Sequence, residues 1–176
     1  MEAHWRDPDF SLATARFTKV LALVVGGDPK RRREAEEDLC DQVTRAACKA
    51  AYWAIPESMM HDVHAAQDIV RKEGFDGAIV FRILGEPDSS SYEPPRPGTR
   101  FWDHYASGVT ITPGAYRQSP RIVVEVAIYS VHQDKLLWIA ATETDNPASV
   151  DALVKDVSAA VRKEMQEDGT SVPAGG

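Results

Sequence analysis

The chain has 176 residues and a formal net charge of −7, with 43% apolar and 27% charged residues. A chain of that length is one domain by prior and buries enough surface to fold without disulfides or metal. The acidic balance opposes phosphate backbones and anionic lipid, so nucleic acid is excluded as an expected partner.

Residues 1–17 read as an extended lead-in of polar and aromatic residues. Lys19–Val25 is a continuous apolar run, as a strand buried on both faces requires. Gly26-Gly27 breaks it, Asp28 suits an N-cap and Pro29 the first helical position. The first helix is expected to run to about Ala46, with Ala35, Leu39, Val43 and Ala46 on one stripe. Lys49–Ile55 reads as a short second strand closed by Pro56. A second helix follows over roughly Met59–Lys72, with Gly74 as the glycine that ends it. Ala78–Leu84 is a third strand.

Residues 85–120 break the pattern, because six of the eleven prolines fall there and no single regular element tolerates them. They read as an irregular insertion, with Glu86–Ser119 its most mobile part and Gly108–Thr112 a short edge strand. Arg121–Val131 and Lys135–Thr144 then alternate as the arms of a β-hairpin. A three-residue loop, His132–Asp134, sets Val131 opposite Lys135. That register puts Ile122, Val124, Val126, Ile128, Trp138 and Ala140 on one apolar face. Ser149 caps a third helix, whose Val150, Leu153, Val154, Val157, Val161 and Met165 share a face and are the natural cover for that patch. Residues 169–176 read as a disordered tail. The fold class is therefore α/β: a mixed sheet of three parallel strands plus an antiparallel hairpin, with three helices and a proline-rich insertion. It forms one domain over residues 1–168.

No apolar run approaches the ~20 residues of a membrane span, and the first residues lack the basic and apolar regions of a signal peptide. Two readings of the compartment stay open: cytoplasmic, or exported with the signal removed. Cys40 and Cys48 are the only cysteines. On one continuous helix they would stand about 12 Å apart, too far to bridge. A bond is open only because the first helix ends between them, and small half-buried thiols are the expectation.

Several segments carry a resemblance. They are His4-Trp5-Arg6-Asp7-Pro8-Asp9-Phe10, Phe17–Leu23, Arg33 with Glu37-Asp38, and Ala54-Ile55-Pro56. Gly74–Val80, Tyr129, Lys135-Leu136-Leu137-Trp138 and Thr142-Glu143-Thr144 complete the set. Taken in order along nearly the whole chain, they are similar to a bacterial envelope lipoprotein family of unknown function. The resemblance implies export to the periplasmic side and a lipid on a cysteine just upstream of Trp5. No cysteine precedes Trp5 here, so it implies either that the lipidation region has been removed or that this member is soluble. Ala47-Cys48 also stands where a helix-ending glycine is expected. The order of elements resembles the N-terminal domain of the Tol-system propeller protein.

No residue set amounts to a catalytic signature. Gly26-Gly27-Asp28-Pro29-Lys30 lacks the glycines and the Gly-Lys-Ser/Thr ending of a phosphate cradle. Lys30-Arg31-Arg32-Arg33 opens the first helix, where the dipole disfavours cations. Glu34, Glu36 and Glu37 follow at pairing distance, so a solvated, self-neutralised face is expected over an anion or partner patch. His61 and His64 share a helix face but have no third ligand. Ser58 and Ser89–Ser91 lack a nucleophile setting. The most binding-like stretch is in the insertion, where Phe101, Trp102, His104 and Tyr105 are candidates for partner contact, against the plainer reading that they cap the sheet edge. The expected function is a non-catalytic envelope accessory or binding module without cofactor or metal. Its partner would be another envelope protein or a small ligand, and it would reach the membrane only through an N-terminal lipid. The alternative is a small cytoplasmic enzyme, or an enzyme subunit, with a site in the 86–119 insertion.

Overall fold

The computed structural model describes residues 2–11, 15–25, 29–84, 96–110, 121–145 and 149–170. Six strands form one open mixed sheet: β1 (Glu2–Arg6), β2 (Lys19–Val25), β3 (Ala47–Ala50), β4 (Gly77–Leu84), β5 (Arg121–Ser130) and β6 (Lys135–Asp145), in the order β1-β6-β5-β4-β2-β3. The helices are α1 (Pro29–Gln42), α2 (Ala51–Ala54), α3 (Val63–Glu73), α4 (Phe101–Thr110) and α5 (Val150–Thr170), with a 3₁₀ turn at Glu57–Met59. As expected, β2, β3 and β4 are parallel and the hairpin continues the sheet antiparallel. No helix among the described residues is long and apolar enough to cross a membrane.

The apolar run of β2 is buried on both faces, and the core accordingly divides in two. On one face, Leu21, Leu23, Ala78, Val80, Ala127, Tyr129 and Ile139 pack under α2, α3 and α4. On the other, Ala22, Val24, Val124, Val126, Ile128, Trp138 and Ala140 pack under α1 and α5. The second set is the patch expected of the hairpin, and Leu153, Val154, Val157 and Val161 of α5 cover it. The turn is four residues, because Ser130 pairs with Lys135, and Asp134 adopts a left-handed φ of 49°. A register shift at Ile128/Tyr129 then restores the expected partners, Ile128 with Trp138 and Val126 with Ala140.

Five expectations are corrected. The lead-in contains an edge strand, β1, which pairs antiparallel with β6. The first helix stops at Gln42, and Cys40 is bonded to Cys48 with Cα atoms 5.2 Å apart. The second strand is only Ala47–Ala50, and the chain turns at once into α2 where strand was expected to Ile55. The second helix starts later than expected, at Val63, with Asp62 accepting from the backbone N–H of His64 and Ala65. Within the supposedly irregular insertion, residues 101–110 form α4, which takes in most of the proposed strand at Gly108–Thr112. The Asp28 cap, the Ser89–Ser91 run, most of the 86–119 segment and the tail beyond Thr170 lie outside the described residues.

Several residues of the family-like segments fix one end of the sheet. Asp76 accepts from the backbone N–H of Thr18 and Lys19 and from the Thr18 hydroxyl, so the starts of β2 and β4 are held level. Gly77 lies beneath the Phe17 ring, and a Cβ there would come within 2.6 Å of it. Asp7 is buried, pairs with Lys135 and donates its N–H to the Leu137 carbonyl at 2.8 Å.

Trp138 is fully buried on the hairpin's covered face. Trp138→Ala should lower stability by about 3–5 kcal/mol, read as the denaturant midpoint. The Cys40–Cys48 bond closes a loop of sequence separation 8. Cys48→Ser should cost about 2–3 kcal/mol on loop-closure grounds, and adding a reductant should leave that variant's melt unchanged.

Candidate functional site

The carboxyl ends of β2 and β4 lie side by side at the sheet end opposite Asp76 and Gly77. The chain leaving β2 enters α1 on one face, while the chain after β4 returns as α4 on the other. Open α/β sheets bind ligands at such a reversal. Two groups of buried polar side chains stand out, one running along β5 from Tyr129, opposite Ala78, to Glu125, opposite Arg82.

The first group belongs to α4 and β5. Phe101, His104 and Tyr105 are spaced three and four apart, so one helix face carries them onto the sheet. The four partner-contact candidates, Phe101, Trp102, His104 and Tyr105, are 0%, 9%, 4% and 1% exposed. They pack among themselves and against Tyr129, and the Tyr105 hydroxyl donates to the Met60 carbonyl at 2.8 Å. The structure thus brings all four together, as core and not as an exposed patch.

His104 Nδ1 is 2.5 Å from the Tyr129 hydroxyl, and its Nε2 is 3.6 Å from Glu125 Oε1. Glu125 is fully buried and stands opposite Arg82 on the neighbouring strand. Burial pushes the Glu125 carboxyl up to about 7, against the pull of Arg82. Burial, helped by the Arg82 charge, holds His104 down to about 4. Burial also raises the Tyr129 phenol, which stays protonated. The tautomer that satisfies these neighbours has Tyr129 donating to Nδ1 and the Nε2–H directed at Glu125. A carboxylate, imidazole and phenol in line can pass a proton, but here all three are enclosed in the core. Glu125 was legible as a lone acid in the apolar run Ile122–Ile128, and that signal was missed.

The second group belongs to α1. Glu36 is fully buried, although the sequence places it on a solvated face. Its Oε1 accepts from the Val24 N–H at 3.1 Å and its Oε2 from the Tyr52 N–H at 2.9 Å. Burial raises its carboxyl to about 7 in spite of those donors and of Arg32. The short helix α2 has no side-chain cap of its own, and Glu36 supplies one from a neighbouring helix. Arg32 turns inward beside it.

The remaining candidates separate. Arg33 pairs with Glu57 at 2.7 Å and Lys30 approaches Glu34 at 3.8 Å. His61, His64 and Ser58 are exposed. Among the described residues no three His, Cys, Asp or Glu side chains form a metal-sized group.

No family model matches the chain, and no curated protein matches it. Among solved structures, a PelC dodecamer from Paraburkholderia phytofirmans is similar at 12% identity and a TM-score of 0.46, over 89% of this chain and 92% of that one. A PelC variant from the same organism gives 13% and 0.47, over 91% and 92%. Lipoprotein GNA1162 from Neisseria meningitidis gives 12% and 0.40, over 85% of this chain and 99% of that one. Likenesses at this level are of fold alone.

The buried pair has opposed effects on stability. Glu125, raised from 4.5 to about 7, contributes stability that is full below pH 4.5 and lost as pH rises through 7. His104, lowered from 6.5 to about 4, contributes stability that is full above pH 6.5 and lost as pH falls through 4. Between those limits the folded chain keeps a proton on Glu125 and the unfolded chain keeps one on His104, so the slopes cancel. Glu125→Gln removes the falling arm, and its stability relative to the parent should climb between pH 4.5 and 7. His104→Asn removes the rising arm, and its relative stability should drop between pH 4 and 6.5. Each change should be on the order of 2–3 kcal/mol. Denaturant midpoints that track the parent at every pH would refute the pairing.

Proposed function

We propose that the chain is a non-catalytic accessory or binding module of the bacterial cell envelope. It works on the periplasmic side, lipid-tethered in its native form, with another envelope protein or a small ligand as partner. The Cys40–Cys48 bond carries this reading. Such bonds persist in oxidising compartments and are reduced in the cytosol of most organisms. The family-like segments agree with it, because Asp7, Asp76, Gly77 and Trp138 all make contacts that hold the fold. The non-catalytic part rests on enclosure: His104, Glu125 and Tyr129, the side chains best placed for proton transfer, are each under 5% exposed.

The test is thiol state in cells. The natural reading frame, expressed in a bacterial host, is fractionated and alkylated before and after reduction. The expected result is envelope-fraction protein that takes up two alkyl groups only after reduction. Protein in the cytoplasmic fraction with two thiols free from the start would overturn the envelope reading and favour the cytoplasmic enzyme.

A further inference from the structure

We propose that Trp53, with Glu37 at its edge, anchors an interaction surface for a basic protein segment that lays an arginine or lysine over the indole. The inference rests on the binding-module reading above and names the chemistry of the partner. Among the described residues, the large hydrophobic side chains left exposed are Trp53, at 67%, and Met59, at 43%. Neither enters the two cores. In α2, Ala51 and Ala54 stand three apart and face the core, so Trp53 is turned to solvent. Arg33 joins the two segments that carry the exposed pair. It lies 5.6 Å over the Tyr52 ring and donates to Glu57 at 2.7 Å, at the start of the 3₁₀ turn that ends in Met59. Tryptophan, methionine and arginine are the residues that protein interfaces favour over the rest of a surface.

The indole is held in place. Its Nε1–H donates to Glu37 Oε1 at 3.3 Å, the Tyr52 hydroxyl donates to the same oxygen, and the two rings are 5.3 Å apart. A side chain fixed before binding has little freedom left to lose on binding. The charges around the ring decide its occupant. Lys30 lies beside Glu34 and Arg33 is bonded to Glu57, whereas among the described residues no cation pairs with Glu37. The Glu37 side chain is exposed, and its hydrogen bonds come from neutral donors. An indole face beside such a carboxylate attracts a cation twice, through the ring quadrupole and through the full charge. The chain's net charge of −7 draws a basic partner and opposes a second copy of itself. Met59 offers apolar contact to a neighbour of the bound cation.

The probe is a short peptide, blocked at both ends, with two arginines flanking a leucine. Its control carries citrulline, which has the shape of arginine without the charge, at both arginine positions. Each is titrated into the intact chain at constant ionic strength and followed by the indole N–H NMR signal of Trp53, assigned as the one lost in Trp53→Phe. The expected result is a shift of that signal with the arginine peptide and little with the control. Glu37→Gln keeps an acceptor for Trp53 and Tyr52 but removes the charge, and should bind roughly fivefold more weakly. Asp156→Asn removes the same charge from an exposed position of α5, on the other side of the sheet, and should bind as the parent does. If Glu37→Gln does not fold, the two peptides on the parent decide between themselves. A Trp53 signal that the arginine peptide leaves in place overturns the proposal. So does an equal response to the citrulline peptide, which makes the patch merely apolar, or equal binding by Glu37→Gln and Asp156→Asn, which makes the attraction that of net charge. A signal that moves with protein concentration alone gives the patch to a second copy and overturns it too. All of these are read on the purified chain, so none of them touches the thiol-state test of the envelope reading.

Discussion

A buried carboxylate joins three elements of this fold. Glu36 on α1 accepts one hydrogen bond from the end of β2 and another from the start of α2. The edge strand β3 has four residues and α2 has four, and neither length is stable alone in water. Together they form the path by which the chain leaves the edge of the sheet and recrosses β2 to reach β4. Glu36 holds the far end of that path, and the Cys40–Cys48 bond holds its near end. With both ends fixed to α1, the crossover over β2 has one course, and β4 is delivered beside β2 in parallel register.

The two ends of the sheet are built by different means. At the amino ends of β2 and β4, Asp76 gathers three donors, Phe17 lies over Gly77, and Asp7 meets Lys135 beside the shifted hairpin. Every group there has a partner in the fold, and the residues belong to the family-like segments. Toward the carboxyl ends, the polar groups are buried more deeply and satisfied less completely. Both Glu125 oxygens and the Arg32 fork lack hydrogen-bond partners. Buried polar groups without partners are expensive. Part of the resemblance, carried by Asp7, Phe17, Thr18, Asp76, Gly77 and Lys135, therefore lies in how one end of the sheet is held.

The legible parts of the sequence were those whose burial follows a simple period. β2 and β4 are apolar throughout, the hairpin alternates, and α5 keeps a long apolar stripe. Ser149 and Asp62 cap their helices through their own side chains, and Gly74 ends α3 at a φ of 75°. The parts that escaped depend on distant residues. β1 is five residues long and is strand only because β6 offers it an edge. The break between β3 and α2 is set by Glu36, 16 positions before Tyr52, which no local pattern reveals. α4 lay hidden in a proline-rich stretch, although none of its own ten residues is a proline. Its four candidates were found by their aromatic content, and their burial could not be read from it.

Glu36 and Arg32 are linked by a competition. At a spacing of four on one helix they are natural partners, though arginine ahead of glutamate is the weaker order. In this fold the carboxylate is taken by backbone N–H groups that would otherwise be orphaned at the start of α2. Backbone donors buried at a helix start have no alternative partner, whereas the rest of the guanidinium can still reach water. The stability of the α2 crossover is thus secured by removing the anion that Arg32 would have used. The same carboxylate that caps α2 leaves Nε and Nη2 of Arg32 without a hydrogen-bond partner. The cap on four residues of helix and the unsatisfied edge of Arg32 are two results of one arrangement.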